Sequence, residues 1–365
     1  MCPLSSVNRR LIERSGVAHN LAIVTVTWRD LKNTCACIWS VLAGEVRPAF
    51  LIVVDNGSAD GTREGLERFL LGERIDVFDP FAARSRVVSI QDLEVRVRFE
   101  LDGPELANPI PLSEIGSDDS GPFTVVRLIS ADHNAGFSAG NNVGVAALVR
   151  AGYAGAVWLL NNDAYVATNC IEELCRKELP GISGTVLVEF DDVDRIQAAG
   201  GYLSPFLASP RNLYVNDRVS ELIHRVGGGS IKASYPIGAS MLTWMDLILR
   251  DVGWFFEGYF LYFEEADFAA RHQSNSVDIY LDCLVAHLGG VSTAEKPSMF
   301  ARRSVVRDFY SARARVIFVQ RNKGSIALSA VVVFLIAQAT KRLVMGDLRA
   351  CSAVIRGIWQ GLTFR

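Results

Sequence analysis

Leu21-Ala-Ile-Val-Thr-Val-Thr27 and, one helix later, Phe50-Leu-Ile-Val-Val54 are the two stretches that decide the fold. Each is a continuous β-rich run, the pattern of a strand covered on both faces of a parallel sheet. Between them, Asp30 to Leu42 reads as a helix with Leu31, Cys35, Ile38 and Leu42 on one stripe. The second run ends in Asp55-Asn-Gly-Ser-Ala-Asp-Gly61, a turn of residues that cap helices or tolerate a positive φ. Helix resumes from Glu64 to Leu71. Strand, helix, strand, turn, helix is the opening of a doubly wound α/β domain.

Working outward, residues 72 to about 122 break that rhythm. Alternation in Glu94-Val-Arg-Val-Arg-Phe-Glu100 predicts an exposed strand, and Gly103 to Gly121 is loop-like, with three prolines and an acidic Ser-Asp-Asp-Ser. This region reads as an inserted hairpin or flap with a mobile tip. The α/β pattern returns with Thr124–Ile129, a glycine-rich helix start, and the strand Ala156–Leu160, which ends in Asn161-Asn162-Asp163. Beyond Gly181 the chain looks mixed as far as His287. Ile326 to Ala337 is apolar on all sides but only about a dozen residues long, where a spanning helix needs roughly 20.

The 365 residues suffice for a main domain plus an appendage. Half are apolar and 21% are charged, a globular composition. A formal charge of −3 lacks the basic surplus of a nucleic-acid binder. Seven cysteines without a CxxC pair read as reduced, mostly buried thiols in a cytoplasmic protein. No apolar run follows the basic N-terminal residues, so export is not expected. Asn56-Gly57-Ser58 has the form of a glycosylation sequon but falls at a strand end among charged residues.

Strands of an open parallel sheet deliver functional groups at their carboxyl ends. Thr27-Trp28-Arg29, Asp55-Asn56-Gly57 and Asn161-Asn162-Asp163 all fall there and should open onto one crevice. Singly, each is equally an ordinary turn or helix cap; together they are harder to explain so. In Asp132-His-Asn-Ala-Gly136-Phe-Ser-Ala-Gly140-Asn-Asn-Val-Gly144 glycines recur every fourth residue into a helix. That spacing suits a phosphate at the helix start, or merely close helix–sheet packing.

Glu264, Glu265 and Asp267 directly follow the aromatic run Tyr259-Phe-Leu-Tyr-Phe263. Carboxylates there are costly unless solvated, paired or metal-bound, and adjacent acids raise one another's pKa toward that of a general base. The plainer reading is a solvated helix start with acids on the favourable end of the dipole. His287, just before Gly289-Gly290, is a candidate imidazole ligand, although a lone histidine is more often structural.

In this order the motifs resemble the family 2 glycosyltransferases of the GT-A fold, in particular their rhamnosyltransferase-like branch. The pieces are IVTVTWRD, IVVDNGSADGT, NAGFSAGNNVG, VWLLNNDAYV, YPIGASMLTW, VGWFFEGYFLYFEEADFAAR and VAHLGGVST, across about residues 21 to 293. The resemblance implies a GT-A domain over 1–299, with a mostly parallel doubly wound sheet and the 72–122 insertion. A helical extension follows over 300–365.

It also implies roles. Thr27 and Asp55 look like contacts to the nucleotide, with Arg29, Asn56, Gly136, Asn141, Asn161 and Asn162 completing a nucleotide-sugar site. Asn161-Asn162-Asp163 stands where the family keeps its metal-binding Asp-x-Asp, so Asp163 and His287 would hold magnesium or manganese, hard ions suited to an oxygen-rich set. The catalytic base is the second acid of a Glu-Asp pair in the family; here that position is Glu265, preceded by Glu264. This is the clearest departure, since an extra methylene moves the carboxylate by about a bond length and a misplacement near 1 Å can cost roughly a hundredfold in rate. Asp267 is a substitute candidate, though its family equivalent is more often structural.

The resulting expectation is an inverting, metal-dependent glycosyltransferase. It would move a sugar, by analogy rhamnose, from a nucleoside-diphosphate donor to a bacterial surface glycan or lipid-linked saccharide. A weakly active homologue acting as a binding or scaffold protein is one rival; galactofuranosyl or N-acetylglucosaminyl transfer is another. A nucleotidyltransferase is a third, but a glycine-rich basic loop does not follow the first strand. Arg302, Arg303, Arg307, Arg313 and Arg315 before the last apolar run, with Lys341, Arg342, Arg349 and Arg356 after it, read as a helix resting on the inner face of a membrane, or as an appendage or homodimer contact.

Overall fold

In the computed structural model the described residues are 17–93, 95–101, 117–118, 121–177, 179, 181–272, 276–289 and 305–364. The N-terminal segment, most of the Gly103–Gly121 stretch, Gly290, Arg302 and Arg303 therefore lie outside them.

Eleven strands form one sheet. They are β1 (Val17–Thr27), β2 (Arg47–Asp55), β3 (Val97–Leu101), β4 (Thr124–Ser130), β5 (Ala156–Leu160), β6 (Ala164–Val166), β7 (Ser183–Glu189), β8 (Ile196–Ala198), β9 (Ser230–Ala233), β10 (Ser240–Trp244) and β11 (Val277–His287). The path across it runs β6-β11-β7-β10-β5-β1-β2-β4-β3, with β8 beside β7 and β9 beside β11. The block β5-β1-β2-β4-β3 is wholly parallel. Beyond β5 the pairing turns mixed: β10 is antiparallel to β5 and β7, while β7 and β11 run parallel. This is an α/β fold whose N-terminal half is the doubly wound part anticipated from the two apolar runs.

The physical cause is burial. Leu21 to Val24 and Phe50 to Val54 are all enclosed, because helices cover the parallel block. Helix α1 (Leu31–Leu42) starts on Asp30, whose carboxylate caps the amide of Asn33, and it buries Cys35, Ile38 and Leu42 as its stripe requires. Helix α2 (Thr62–Leu70) follows the second strand, and α3 (Phe137–Arg150) lies against β1 and β2. A side-chain carbon at Gly140 or Gly144 would run into Val26 or Val24. Close packing thus accounts for two of the three regularly spaced glycines.

The described part of the insertion is the hairpin Ile75–Asp79/Arg84–Val88, a short 3-10 turn, β3, which pairs with β4 at the sheet edge, and the two-residue antiparallel pair Ser117–Asp118/Gly121–Pro122. Three shorter helices complete the sheet domain: α4 (Cys170–Cys175), α5 (Val219–Val226) and α6 (Glu264–Arg271). The chain then forms α7 (Val305–Asn322), α8 (Ser325–Val344) and α9 (Leu348–Thr363), which pack on one another. The short apolar run read in the sequence belongs to a longer helix. Helix α8 continues through Thr340-Lys341-Arg342 to Leu343 and Val344, and its 20 residues are long and apolar enough to cross a membrane by length and composition. Of the cysteines, 35, 37, 170, 175 and 283 are buried and unpaired.

Candidate active site

Parallel register brings the strand ends level: Thr27 pairs with Asp55, and Asp55 with Ser130. At that edge lies a crevice of about 400 Å³. Thr27, Asn56, Gly136, Asn161 and Asn162 line it, as do Trp28, Asn134 and Phe137 from the same loops. Its remaining lining comes from Val26 of β1, from Phe260 and Leu261 before α6 and from Val306 and Tyr310 on α7, with the Phe260 and Tyr310 rings stacked 4.9 Å apart.

The loops are held by a polar web. The Asn56 amide N–H donates to Thr27 O at 2.8 Å, and its side chain donates to Asn134 Oδ1 and Gly136 O, each at 3.1 Å. Its own Oδ1 is buried and has no partner among the described residues. Asn162 stitches β5 to β1 and α1, donating to Thr34 Oγ1 at 3.1 Å and to Asp30 Oδ2 at 3.2 Å. Asp55 accepts from the Ser58 amide at 3.2 Å, and Ser58 Oγ accepts from the Arg29 amide at 2.8 Å. Arg29 has a φ of 56° and lays its guanidinium over the exposed Trp28 ring at 4.9 Å. Asn141 stays inside α3, its amide on Phe137 O. Of the proposed nucleotide contacts, Asn141, Arg29 and Asp55 therefore do not line the crevice; the other five do.

Next to Asn161 stands the pair Asp163 and His287, Oδ1 to Nε2 3.2 Å. Gln197, on β8, determines how the ring is presented. Its Nε2 donates to the His287 carbonyl at 3.0 Å, so its Oε1 must be the atom 2.6 Å from His287 Nδ1. That contact puts a proton on Nδ1 and turns the Nε2 lone pair toward Asp163. Burial pushes the Asp163 carboxyl up, but the charge and hydrogen bond of His287 outweigh it and hold the group below its usual range. The same Nε2 lies 3.4 Å from Asn161 Nδ2, and its approach to Asp163 is favourable with a second ring proton, the source of that charge and hydrogen bond, or with a cation between them. Adjacent ligands of an octahedral ion at ~2.1 Å are about 3 Å apart, so the observed edge fits a metal. Among the described residues no group of three His, Cys, Asp or Glu side chains could enclose an ion. Any metal here would need further ligands from elsewhere, such as Asn161, water or a bound diphosphate.

The acids of α6 sit on a bent approach. Phe260, Tyr262 and Phe263 all have left-handed φ, 67°, 71° and 70°. Such angles cost bulky L residues of order 1 kcal/mol each and persist only where the surroundings impose them. The Phe260 carbonyl accepts from the Phe137 amide at 3.0 Å, and a side-chain carbon at Gly136 would collide with that carbonyl. The bend thus docks the α6 loop onto the start of α3. Glu264 and Glu265 fall in the first turn of α6. Glu264 is buried with Oε1 unpartnered, and burial together with Glu265 raises it well above an ordinary carboxyl. Glu265 is half-buried, its carboxyl near Gly238 and not part of the crevice lining, and burial lifts it to about 7.

Asp267 is placed differently. Only 1% exposed, it accepts from Tyr259 Oη at 2.9 Å, Arg271 Nε at 2.9 Å, Asn322 Nδ2 at 2.9 Å and Arg321 Nε at 3.3 Å. Three of these bonds fall on Oδ1 and one on Oδ2, and through Arg321 and Asn322 the carboxylate ties α6 to α7.

No protein-family description matches the chain, and no curated protein matches it. Solved structures do resemble it. The S. aureus TarS fragment 1–349 matches at 12% identity over 86% of this chain and 70% of that one, TM-score 0.41. GalNAc-T7 with UDP, GalNAc and Mn2+ matches at 11% identity over 84% of this chain, TM-score 0.46. This chain spans 53% of the GalNAc-T7 chain. The mannosyltransferase PcManGT from Pyrobaculum calidifontis, in complex with GDP-Man and Mn2+, matches at 11% identity over 94% of this chain and 87% of that one, TM-score 0.44.

Trp28, Phe260, Tyr310 and Gln197 were not singled out by sequence reasoning. Trp28 stood in plain view between Thr27 and Arg29. Tyr310 and Gln197 reach their places through long-range packing, for which the sequence carries no local signal.

Proposed function

We propose that the chain is a nucleotide-sugar-dependent glycosyltransferase that uses a divalent metal and inverts the anomeric centre. The observation that carries this reading is one convergence: a crevice at the ends of β1, β2 and β5, a cation-competent Asp163–His287 edge beside it, and Glu265 close to Gly238, which the crevice-lining Phe137 also approaches. In this reading the crevice-lining Thr27, Asn56 and Asn161 contact the nucleoside diphosphate. Trp28 offers a face on which the base stacks.

Asp163, His287 and Asn161 would hold magnesium or manganese, which when bound neutralises the charge growing on the leaving diphosphate. Glu265, lifted to about 7, is poised to take the acceptor hydroxyl's proton at neutral pH as that oxygen attacks the sugar from the face opposite the diphosphate. Glu264, the residue before it, is pushed well above an ordinary carboxyl by burial and by Glu265. Asp267 is buried and held by Tyr259, Arg271, Arg321 and Asn322, and is assigned the anchoring role. The acceptor would be a surface glycan or lipid-linked saccharide, and the sugar rhamnose by the motif resemblance.

The test is a panel of nucleotide sugars with manganese or magnesium, scored for thermal stabilisation and release of nucleoside diphosphate. One donor that does both supports transfer; binding without any release would favour a scaffold that has kept the fold.

A further inference from the structure

We propose that α8 and α9 form a docking surface for an anionic lipid bilayer, on which the chain lies peripherally without crossing it. The inference stands independently of glycosyl transfer. Helix α8 is apolar on two faces. One narrow stripe, Ala327, Val331, Leu335 and Ala339, is buried against its neighbours. The opposite stripe, Ile326, Val333, Ala337 and Val344, recurs at intervals of seven, four and seven and faces outward; Ile326, Val333 and Val344 are 78%, 67% and 81% exposed. Helix α9 repeats the pattern. Leu348, Ile355, Trp359 and Leu362 share its outward face, with Trp359 68% exposed.

Charge selects the occupant. Residues 305–365 carry ten Lys and Arg against two Asp, a net of +8, while the whole chain carries −3 and the remainder therefore −11. Lys341, Arg349 and Arg356 are exposed on the same two helices. An apolar stripe bordered by cations, with an exposed tryptophan, is the composition of a helix that lies in a headgroup layer. A second copy is disfavoured, because a two-fold interface sets each patch against itself and brings like charges together. Crossing is disfavoured by what pins α8: Arg342 pairs with Asp308 of α7 at 3.0 Å, and the Arg315 guanidinium lies over the Phe334 ring at 5.5 Å.

The test is co-sedimentation of the full chain with vesicles of phosphatidylcholine, with or without about one-third phosphatidylglycerol, and a parallel light-scattering mass. The expected result is binding to the anionic vesicles at least tenfold above the neutral ones, reversed by high salt. Val333→Asp with Trp359→Ser, both at exposed positions, should lower it tenfold or more with melting temperature unchanged; Lys341→Glu with Arg349→Glu should do the same. No binding to either vesicle by a monomeric wild type overturns the proposal. So does a stable dimer that the Val333 and Trp359 changes dissolve, or a lipid-bound form that resists alkaline carbonate extraction.

Discussion

Gln197 aims His287. With Gln197 Nε2 on the histidine's own carbonyl and Oε1 2.6 Å from Nδ1, the ring has one orientation and presents Nε2 to Asp163. Outer partners of this kind typically change metal affinity about 10- to 100-fold. Gln197→Leu should therefore weaken manganese binding in the presence of a nucleoside diphosphate by about that factor, measured by calorimetry. Gln197→Glu, which keeps the acceptor oxygen, should recover much of it.

Asp163→Ala removes the charged member of the edge. Metal-dependent donor binding should disappear while metal-independent nucleotide binding through the Thr27–Asn56 wall persists. Full retention of the metal dependence, followed as the manganese requirement of donor binding, would remove Asp163 from the site.

Glu265→Gln should leave donor affinity within about twofold and lower turnover by at least about a hundredfold, the usual range for a lost general base. In the parent protein the rate should rise with pH through about 7, as the carboxyl lifted by burial ionises. Stability should move the other way. Between its ordinary value near 4.5 and about 7, the folded state holds a proton that the unfolded state has released, so stability falls as pH rises across that window. The same substitution should flatten that slope in urea titrations at pH 5 and 7.5.

Asp267→Asn tests the anchoring role. Breaking a buried carboxylate that serves two arginines should cost about 3 kcal/mol, seen as a lower denaturation midpoint. The fraction that remains folded should still turn over; loss of turnover in folded protein would return Asp267 to the chemistry.

Much of the parallel half was legible because its signal is local. LAIVTVT and FLIVV cannot be exposed, and Asp30 caps α1 where the apolar stripe begins. The three polar strand ends were legible for the same reason, since a parallel sheet sends them all to one edge. The glycines at 140 and 144 carried an ambiguous signal: packing on Val24 and Val26 explains them, whereas Gly136 answers to the Phe260 carbonyl across the crevice. Asp267 could not be told from Glu265 in sequence, because its partners Arg321 and Asn322 lie a whole helix away. The true length of α8 was hidden by Gln338, Thr340, Lys341 and Arg342, which interrupt the apolar run without ending the helix.

The most direct measurement of the central claim is release of nucleoside diphosphate from a panel of nucleotide sugars by the purified chain with manganese, alongside its thermal shift. The account predicts that one donor raises the melting temperature by about 3 °C or more, as near-saturating binding should. That donor should be turned over only with metal, and not by Asp163→Ala. Stabilisation and turnover unaffected by chelation, or no response to any donor in either metal, would contradict it.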